Sequence, residues 1–310
     1  MKERVQLGKS GLKVSPICFG CWQMGQTYWG KQPEDVLIRA VHTAFEYNVN
    51  FFDTADAYGD GIAEKILGKA IKELPRDKII IATKVFHHFY PDGHRHPDLS
   101  KKYILYECEK SLERLGIDYI DLYQAHSYEI YTPMEEIAEA FEKLKREGKI
   151  RAYGVSNFTL EQLRLARKYG SFSTLQPYYN LLEPGIEKDL LPYCYGEKLG
   201  VLVYSPLLRG ILTGKFTGKE VFSDLRANDL RFKGKRFQEL VRKVEKLKPV
   251  AKDKGMSVTQ LTLLTTLSHP AIHSAIVGIK NSAQIKEAAE VMRYKDLTLP
   301  EYYQVRSLLS

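Results

Sequence analysis

An acid and a phenol stand close together in Asn50-Phe51-Phe52-Asp53-Thr54-Ala55-Asp56-Ala57-Tyr58-Gly59. Asn50 to Phe52 reads as the end of a short buried strand, so Asp53 and Tyr58 fall where a strand gives way to a loop. Lys84 follows the third apolar run, Ile79-Ile80-Ile81-Ala82-Thr83, and Gln124 and His126 follow the fourth, Tyr119-Ile120-Asp121-Leu122-Tyr123. Carboxyl ends of strands are where α/β enzymes keep their chemistry, because the sheet is rigid and the loop is open. A free phenol titrates near pH ~10, too high for a good acid at neutrality. A lysine ammonium beside Tyr58 is expected to stabilise phenolate and lower that value. Asp53 would hold Lys84 charged and in place, and His126 would hydrogen-bond the oxygen that Tyr58 protonates. This set suits proton delivery to a carbonyl oxygen as it gains negative charge. It contains no electron source, which implies a hydride-donating cofactor. Each residue has a plainer reading: a capping Asp53, a surface Tyr58, a rim salt bridge from Lys84, a core His126. Four such groups in one layer argue against coincidence.

The elements that must position these groups follow a repeating pattern. Apolar strand candidates end near Gly20, Phe52, Thr83, Tyr123, Val155, Gln176, Tyr204 and Val277, most of them one strand–helix unit apart. Residues 4–15 predict a hairpin, with Val5 and Leu7 facing Leu12 and Val14 across Gly8-Lys9-Ser10-Gly11. Thr132-Pro133-Met134-Glu135 predicts a capping box opening a helix whose apolar face is Met134, Ile137, Ala138, Phe141 and Leu144. Thr159 with Gln162 predicts a second box, and Ile104, Cys108, Leu112 and Leu115 form another helix face. A short helix is expected at 301–309. The reading is α/β: a single domain over 1–310, a (β/α)8 TIM barrel with an N-terminal β-hairpin and two extra helices between strands 7 and 8. An open doubly wound sheet is the alternative, but the Gly-x-Gly-x-x-Gly signature after a first strand is absent.

Composition bounds the remaining possibilities. The 310 residues are 44% hydrophobic and 27% charged, ordinary for a globular chain with a sizeable core. No apolar run approaches the roughly 20 residues that span a bilayer. The start, Met1-Lys2-Glu3-Arg4, lacks the apolar stretch of a signal peptide, and the expected setting is cytoplasmic. Cys18, Cys21, Cys108 and Cys194 suit a reducing compartment; no second pair completes the Cys18-Phe19-Gly20-Cys21 spacing, so no metal is expected there. Of the net charge of +8, residues 209–254 carry all of it, 14 Lys and Arg against 6 Asp and Glu. That segment faces an anionic ligand, nucleic acid or water; it shows no basic–aromatic alternation suited to stacking bases, so nucleic acid is not expected. Residues 86–100 hold His87, His88, His94 and His96 with Phe89, Tyr90, Asp92 and Asp98. They read as a mobile substrate-lining loop rather than a metal site.

Five motifs carry a family resemblance: Asp-Thr-Ala-Asp-Ala-Tyr-Gly at 53–59, Thr83-Lys84, Asp121-Leu122-Tyr123-Gln124-Ala125-His126, Gly154-Val155-Ser156-Asn157-Phe158 and Tyr204-Ser205-Pro206-Leu207. In this order they resemble the aldo-keto reductases from end to end. The resemblance implies a (β/α)8 barrel that binds NADPH without a Rossmann motif and reduces small aldehydes or ketones. It makes Tyr58 the general acid, with Asp53, Lys84 and His126 completing a tetrad. It assigns Ser156, Asn157 and Gln176 to the nicotinamide amide and Tyr204 to stacking on that ring. Ser205, Leu207, Gly210 and Lys215 become the loop crossing the pyrophosphate, and Gly278, Lys280, Gln284 and Glu287 the adenosine end. Trp22, with Tyr58 and His126, is expected to meet substrate. Gln284 and Ala288 replace an arginine and an asparagine common in the family, so preference for NADP over NAD rests on Lys280. Ser127-Tyr128 stands where a tryptophan is common, and a short C-terminal segment implies an open pocket. The alternative is a cofactor-occupied binding subunit, like the family's channel-associated β-subunits, with incidental turnover.

Overall fold

Apolar runs buried on both faces become parallel strands when helices cover them. Here those runs are β1 (Ile17–Gly20), β2 (Phe51–Asp53), β3 (Ile80–Val85), β4 (Ile120–Ala125), β5 (Ile150–Ser156), β6 (Thr174–Gln176), β7 (Gly200–Tyr204) and β8 (Ser274–Gly278). The computed structural model describes residues 3–90 and 92–309, so part of the charged start, Met1 and Lys2, lies outside the described residues. Among them the eight strands close into a parallel barrel in chain order, β8 returning to β1 through Ala275↔Ile17 and Val277↔Phe19.

Side chains fill the barrel: Cys18, Phe51, Ile80, Ala82, Leu122, Ala152, Leu202 and Ile276 pack as one interior cluster. Leu7, Leu12 and Val14 join it, because the expected hairpin forms with Val5–Gln6 antiparallel to Lys13–Val14. Gly8 bridges to Leu199 at the start of β7, so the hairpin plugs the amino ends of the strands. The opposite, carboxyl ends stay open for chemistry.

Local signals account for the helices. Thr159 and Gln162 make the expected capping box ahead of Leu160–Tyr169. Ser100 caps Lys101–Leu115 by accepting from Tyr103 N, and Gly116 ends it at φ 65°. The box expected at Thr132 does not form. Met134–Arg146 starts after Pro133 without a side-chain cap, and Glu129 rather than Glu135 takes the Thr132 N–H. The β7–β8 connection contains Gly234–Glu245, Leu247–Asp253 and Val258–Leu267. The last is buried all round and packs on β8 as the regular barrel helix, leaving the other two as the additional pair. Contrary to expectation, this basic segment does interleave phenylalanines with its cations, as in Arg231-Phe232-Lys233 and Arg236-Phe237, but they turn inward, Phe222 and Phe232 for example 5.1 Å apart between ring centres. Leu299–Leu309 is the short final helix. No helix among the described residues is long and apolar enough to cross a membrane.

Candidate active site

Strand geometry brings the four groups together, with one adjustment. Asp53 is the last residue of β2 and Lys84 lies within β3, so both are held by ladder bonds rather than by the loops expected to carry them. Lys84 Nζ donates to Asp53 Oδ1 at 2.7 Å and to the carbonyl of Thr54 at 2.8 Å. It lies 3.4 Å from Tyr58 Oη. The imidazole of His126 meets the Tyr58 ring edge-on, 5.9 Å between centres. Tyr58 is placed by a close approach of two turns. Gly59 has φ +64°, and a Cβ there would fall 2.2 Å from the carbonyl oxygen of Gly25, in the turn Trp22–Gly25. Trp22 is thereby brought to 6.3 Å from the Tyr58 ring.

The electrostatics depart from expectation at the phenol. Burial pushes Tyr58 up to about 12, the opposite of the lowering expected; Lys84 pulls it down, but desolvation and Asp53 outweigh that pull. Burial disfavours the Lys84 charge, yet Asp53 and Tyr58 reverse the balance and hold the ammonium above its ordinary range. Burial raises the Asp53 carboxyl, against the downward pull of Lys84 and Gln176. Burial and the Lys84 charge keep His126 well below the usual imidazole range, so it is neutral. The site therefore holds a protonated phenol backed by a buried ion pair, with a neutral imidazole across from it.

A cavity of about 690 Å³ opens on this group. Trp22, Asp53, Tyr58, Tyr204, Ser205, Leu207, Gly210, Lys215, Gly278, Lys280, Gln284 and Glu287 line it, as expected for one site. Ser156, Asn157, Gln176 and His126 are not on its wall but connect to residues that are. Gln176 Nε2 donates to Asp53 Oδ2 at 2.8 Å, and Tyr204 Oη donates to Asn157 Oδ1 at 2.7 Å. Asn157 Nδ2 donates to the carbonyl of His126 at 2.9 Å, and Ser156 Oγ to that of Gln176 at 2.8 Å. The chain leaving β7 holds left-handed backbone at Ser205, Leu208 and Arg209 before Gly210, a concentration of strain of the kind found at binding sites.

The wall far from Tyr58 is cationic. Lys215 and Lys280 are both lowered, by burial first and by Arg226 next. Asn281 caps the helix Ser282–Glu290 there, and the Gln284 side chain accepts from Lys280 N at 2.8 Å. A helix N-terminus among cations is a fitting receptor for phosphate. A Cβ on Gly278 would lie 2.2 Å from Gln23 Nε2, so a side chain there would have to displace the Gln23 amide. The residues present thus fit a dinucleotide: aromatic Tyr204 near the proton donor, cations and a helix N-terminus at the other end. Gln23, Trp29, Tyr178, Arg209 and Arg226 also line the cavity, and sequence reasoning missed them. Arg226 belonged to the noticed basic segment, but nothing in its spacing marked it apart from its neighbours.

The segment 86–100 is not the loop expected. His87–Phe89 pairs antiparallel with Arg95–Pro97, and Gly93, at φ +84°, permits the tight reversal; Pro91 lies outside the described residues.

The sequence pattern of the Aldo/keto reductase family matches residues 16–309. The chain belongs to this family. This aldo/keto reductase is 39% identical over 294 residues to aldo-keto reductase YhdN of Bacillus subtilis, covering 93% of this chain and 88% of that one. It is 30% identical to an NADH-specific methylglyoxal reductase of Escherichia coli, covering 92% of each. Among solved structures, glycerol dehydrogenase AKR11B4 of Gluconobacter oxydans matches with TM-score 0.91 and 33% identity, covering 99% of this chain and 95% of that one. An aldo/keto reductase of Klebsiella pneumoniae in complex with NADP and acetate matches with TM-score 0.78 and 29% identity, covering 100% and 96%. As a family member the chain is an oxidoreductase that reduces carbonyl compounds with a nicotinamide cofactor.

Proposed function

We propose that this reductase converts small aldehydes or ketones to alcohols, with Tyr58 delivering the proton. One observation carries the assignment: a buried Lys84–Asp53 pair, 2.7 Å apart, stands 3.4 Å from the Tyr58 hydroxyl at the wall of a cavity. Substrate oxygen lies between Tyr58 Oη and the neutral His126, each offering one hydrogen. As negative charge grows on that oxygen, Lys84 stabilises the phenolate left behind, and Asp53 keeps Lys84 charged and aimed. The dinucleotide, when bound, supplies the hydride. Tyr204 supports its nicotinamide, with Asn157, Ser156 and Gln176 fixing which ring face meets the substrate. Ser205, Leu207, Gly210 and Lys215 line its pyrophosphate. Lys280, Gln284, Glu287 and Gly278 receive the adenosine end, with Lys280 and Arg226 favouring NADPH. Trp22 closes the substrate side.

The whole of 1–310 acts as a single barrel unit. Four free buried thiols suit a cytoplasmic setting. The inward-facing phenylalanines of the basic segment leave no platform for bases, so its charge serves a small anion rather than nucleic acid.

Tyr58→Phe tests the assignment, with NADPH oxidation measured against a panel of aldehydes. Turnover should fall about 10²–10⁴-fold while NADPH still binds, the range for a lost general acid. A fully active variant would overturn the role of Tyr58. Tight cofactor binding with negligible turnover by the unaltered protein would instead support a binding subunit.

A further inference from the structure

The hairpin beside the active site carries a cluster that proton transfer does not use. His88 and His96 are directly opposed across its two strands, which sends both imidazoles from one face. Asp98, just past the hairpin, reaches both. Its Oδ2 lies 3.0 Å from His88 Nδ1 and 4.0 Å from His96 Nε2. One ligating atom from each of the three residues lies within 4.8 Å of the others. Around a tetrahedral zinc ion at about 2.0–2.2 Å, donor atoms sit roughly 3.4 Å apart. Small side-chain rotations close that gap; His96, with 47% of its side chain exposed, would make them by sliding on the rings of His88 and Tyr90, 5.2 and 5.4 Å away.

The surroundings favour ligation over a simple ion pair. Asp98 Oδ1 accepts from Ser100 N at 2.9 Å, which fixes the carboxylate and leaves Oδ2 to the imidazoles. His88 is held by stacking, 4.4 Å from the Tyr103 ring and 4.7 Å from that of Tyr90. His88 and Asp98 also border a cavity of about 570 Å³, separate from the one at Tyr58. Asp60 and Glu107 stand on its wall, with Lys102, Lys110 and Arg114. Water there would complete the coordination shell.

We propose that His88, His96 and Asp98 form a binding site for a divalent transition-metal ion of the zinc type. Two imidazoles select zinc, nickel or copper over magnesium and calcium, which prefer all-oxygen ligands. The ion would fasten both strands of the hairpin to the start of the helix Lys101–Leu115. Phe86 and His87 lead into this hairpin from the strand that carries Lys84, so the clamp would stiffen the rim on the substrate side.

Zinc chloride titrated calorimetrically into the tag-free, full-length protein tests the site, with bound metal counted by elemental analysis after dialysis. The four cysteines are buried and do not compete. One ion per chain is expected, with a raised unfolding temperature in zinc. His96→Ala and Asp98→Asn should each weaken binding at least ~10-fold, the least that loss of a ligand's supporting partner costs. His96 is exposed, so its variant should unfold like the parent when zinc is absent. His94→Ala, which removes the neighbouring exposed His94–Asp92 pair, should bind as the parent does. Magnesium chloride should give no saturable heat. Absence of saturable zinc uptake, uptake retained by His88→Ala/His96→Ala, equal loss in His94→Ala, or magnesium binding as tight as zinc would each overturn the proposal.

Discussion

The two ends of the active-site cavity handle charge in opposite ways. At the proton end the charges are closed on themselves: both oxygens of Asp53 are taken, by Lys84 and by Gln176, and Lys84 has a third partner in the Thr54 carbonyl. At the far end Lys215, Arg226 and Lys280 crowd together, and the nearby Asp224 is bonded to Arg226. A closed pair in a dry place is set before substrate arrives and needs no rearrangement during the reaction. Unbalanced positive charge is a standing cost that an anionic ligand relieves. On the proposed roles the difference would separate catalysis from affinity along one cavity, and each end should respond to different perturbations.

Breaking the closed pair should have the largest effect. Lys84→Met leaves Asp53 buried without its counter-charge. We expect about 3–5 kcal/mol of lost stability, read as a lower denaturant midpoint, together with collapse of kcat. Unchanged stability would mean that the pair contributes little to the fold.

Next comes the cationic end. Lys280→Met should raise KM for NADPH about 10-fold or more and leave kcat nearly unchanged, because a charge-assisted bond of roughly 1.5–3 kcal/mol is lost from binding alone. KM for NADH should move less, and a parallel rise for both cofactors would place Lys280 away from the 2′-phosphate. KM for NADPH in the unaltered protein should also rise with added salt, since half-exposed charges are screened. A salt-independent KM would count against a role for these cations.

The smallest effect is expected beside the tetrad. Asp56 is buried with Oδ2 unpartnered, and burial first, then Glu107 and Glu64, raise its carboxyl well above the usual range. A raised folded-state value stabilises at low pH, and the benefit is lost as pH rises through that value. Asp56→Asn retains an oxygen to accept from Ala57 N, a bond now 2.6 Å. Thermal unfolding should therefore show Asn gaining over Asp at pH 8 relative to pH 5, by roughly 1.4 kcal/mol for each pH unit by which the folded-state value lies above 5. An equal effect at both pH values would mean that Asp56 is charged throughout.

Much of the closed end was legible in the sequence, because strand ends and their next residues are local features. The order of the strands, the plugging hairpin and the convergence of Asp53, Tyr58, Lys84 and His126 all follow from runs of a few residues. The sign of the Tyr58 shift did not follow. Proximity to Lys84 is visible in a sequence pattern, whereas the depth of burial that outweighs it is a property of the assembled barrel. The cationic end was less legible. Arg226 and Trp29 come from segments far apart in the chain, and only the folded β7–β8 connection stacks them, 5.7 Å apart. The Thr132 box failed for a related reason: Glu129 competed successfully for the Thr132 N–H, and no local rule ranks such competitors.

The bond from Gln176 to Asp53 joins β6 to β2, which face each other four strands apart in the ring of eight. It works as a crossbar spanning the mouth of the barrel. Opposite walls tied in this way should resist widening at the level of the tetrad. A reductase braced like this must adapt to carbonyl compounds of differing bulk through its rim alone, and its proton-delivering floor should be the same for all of them.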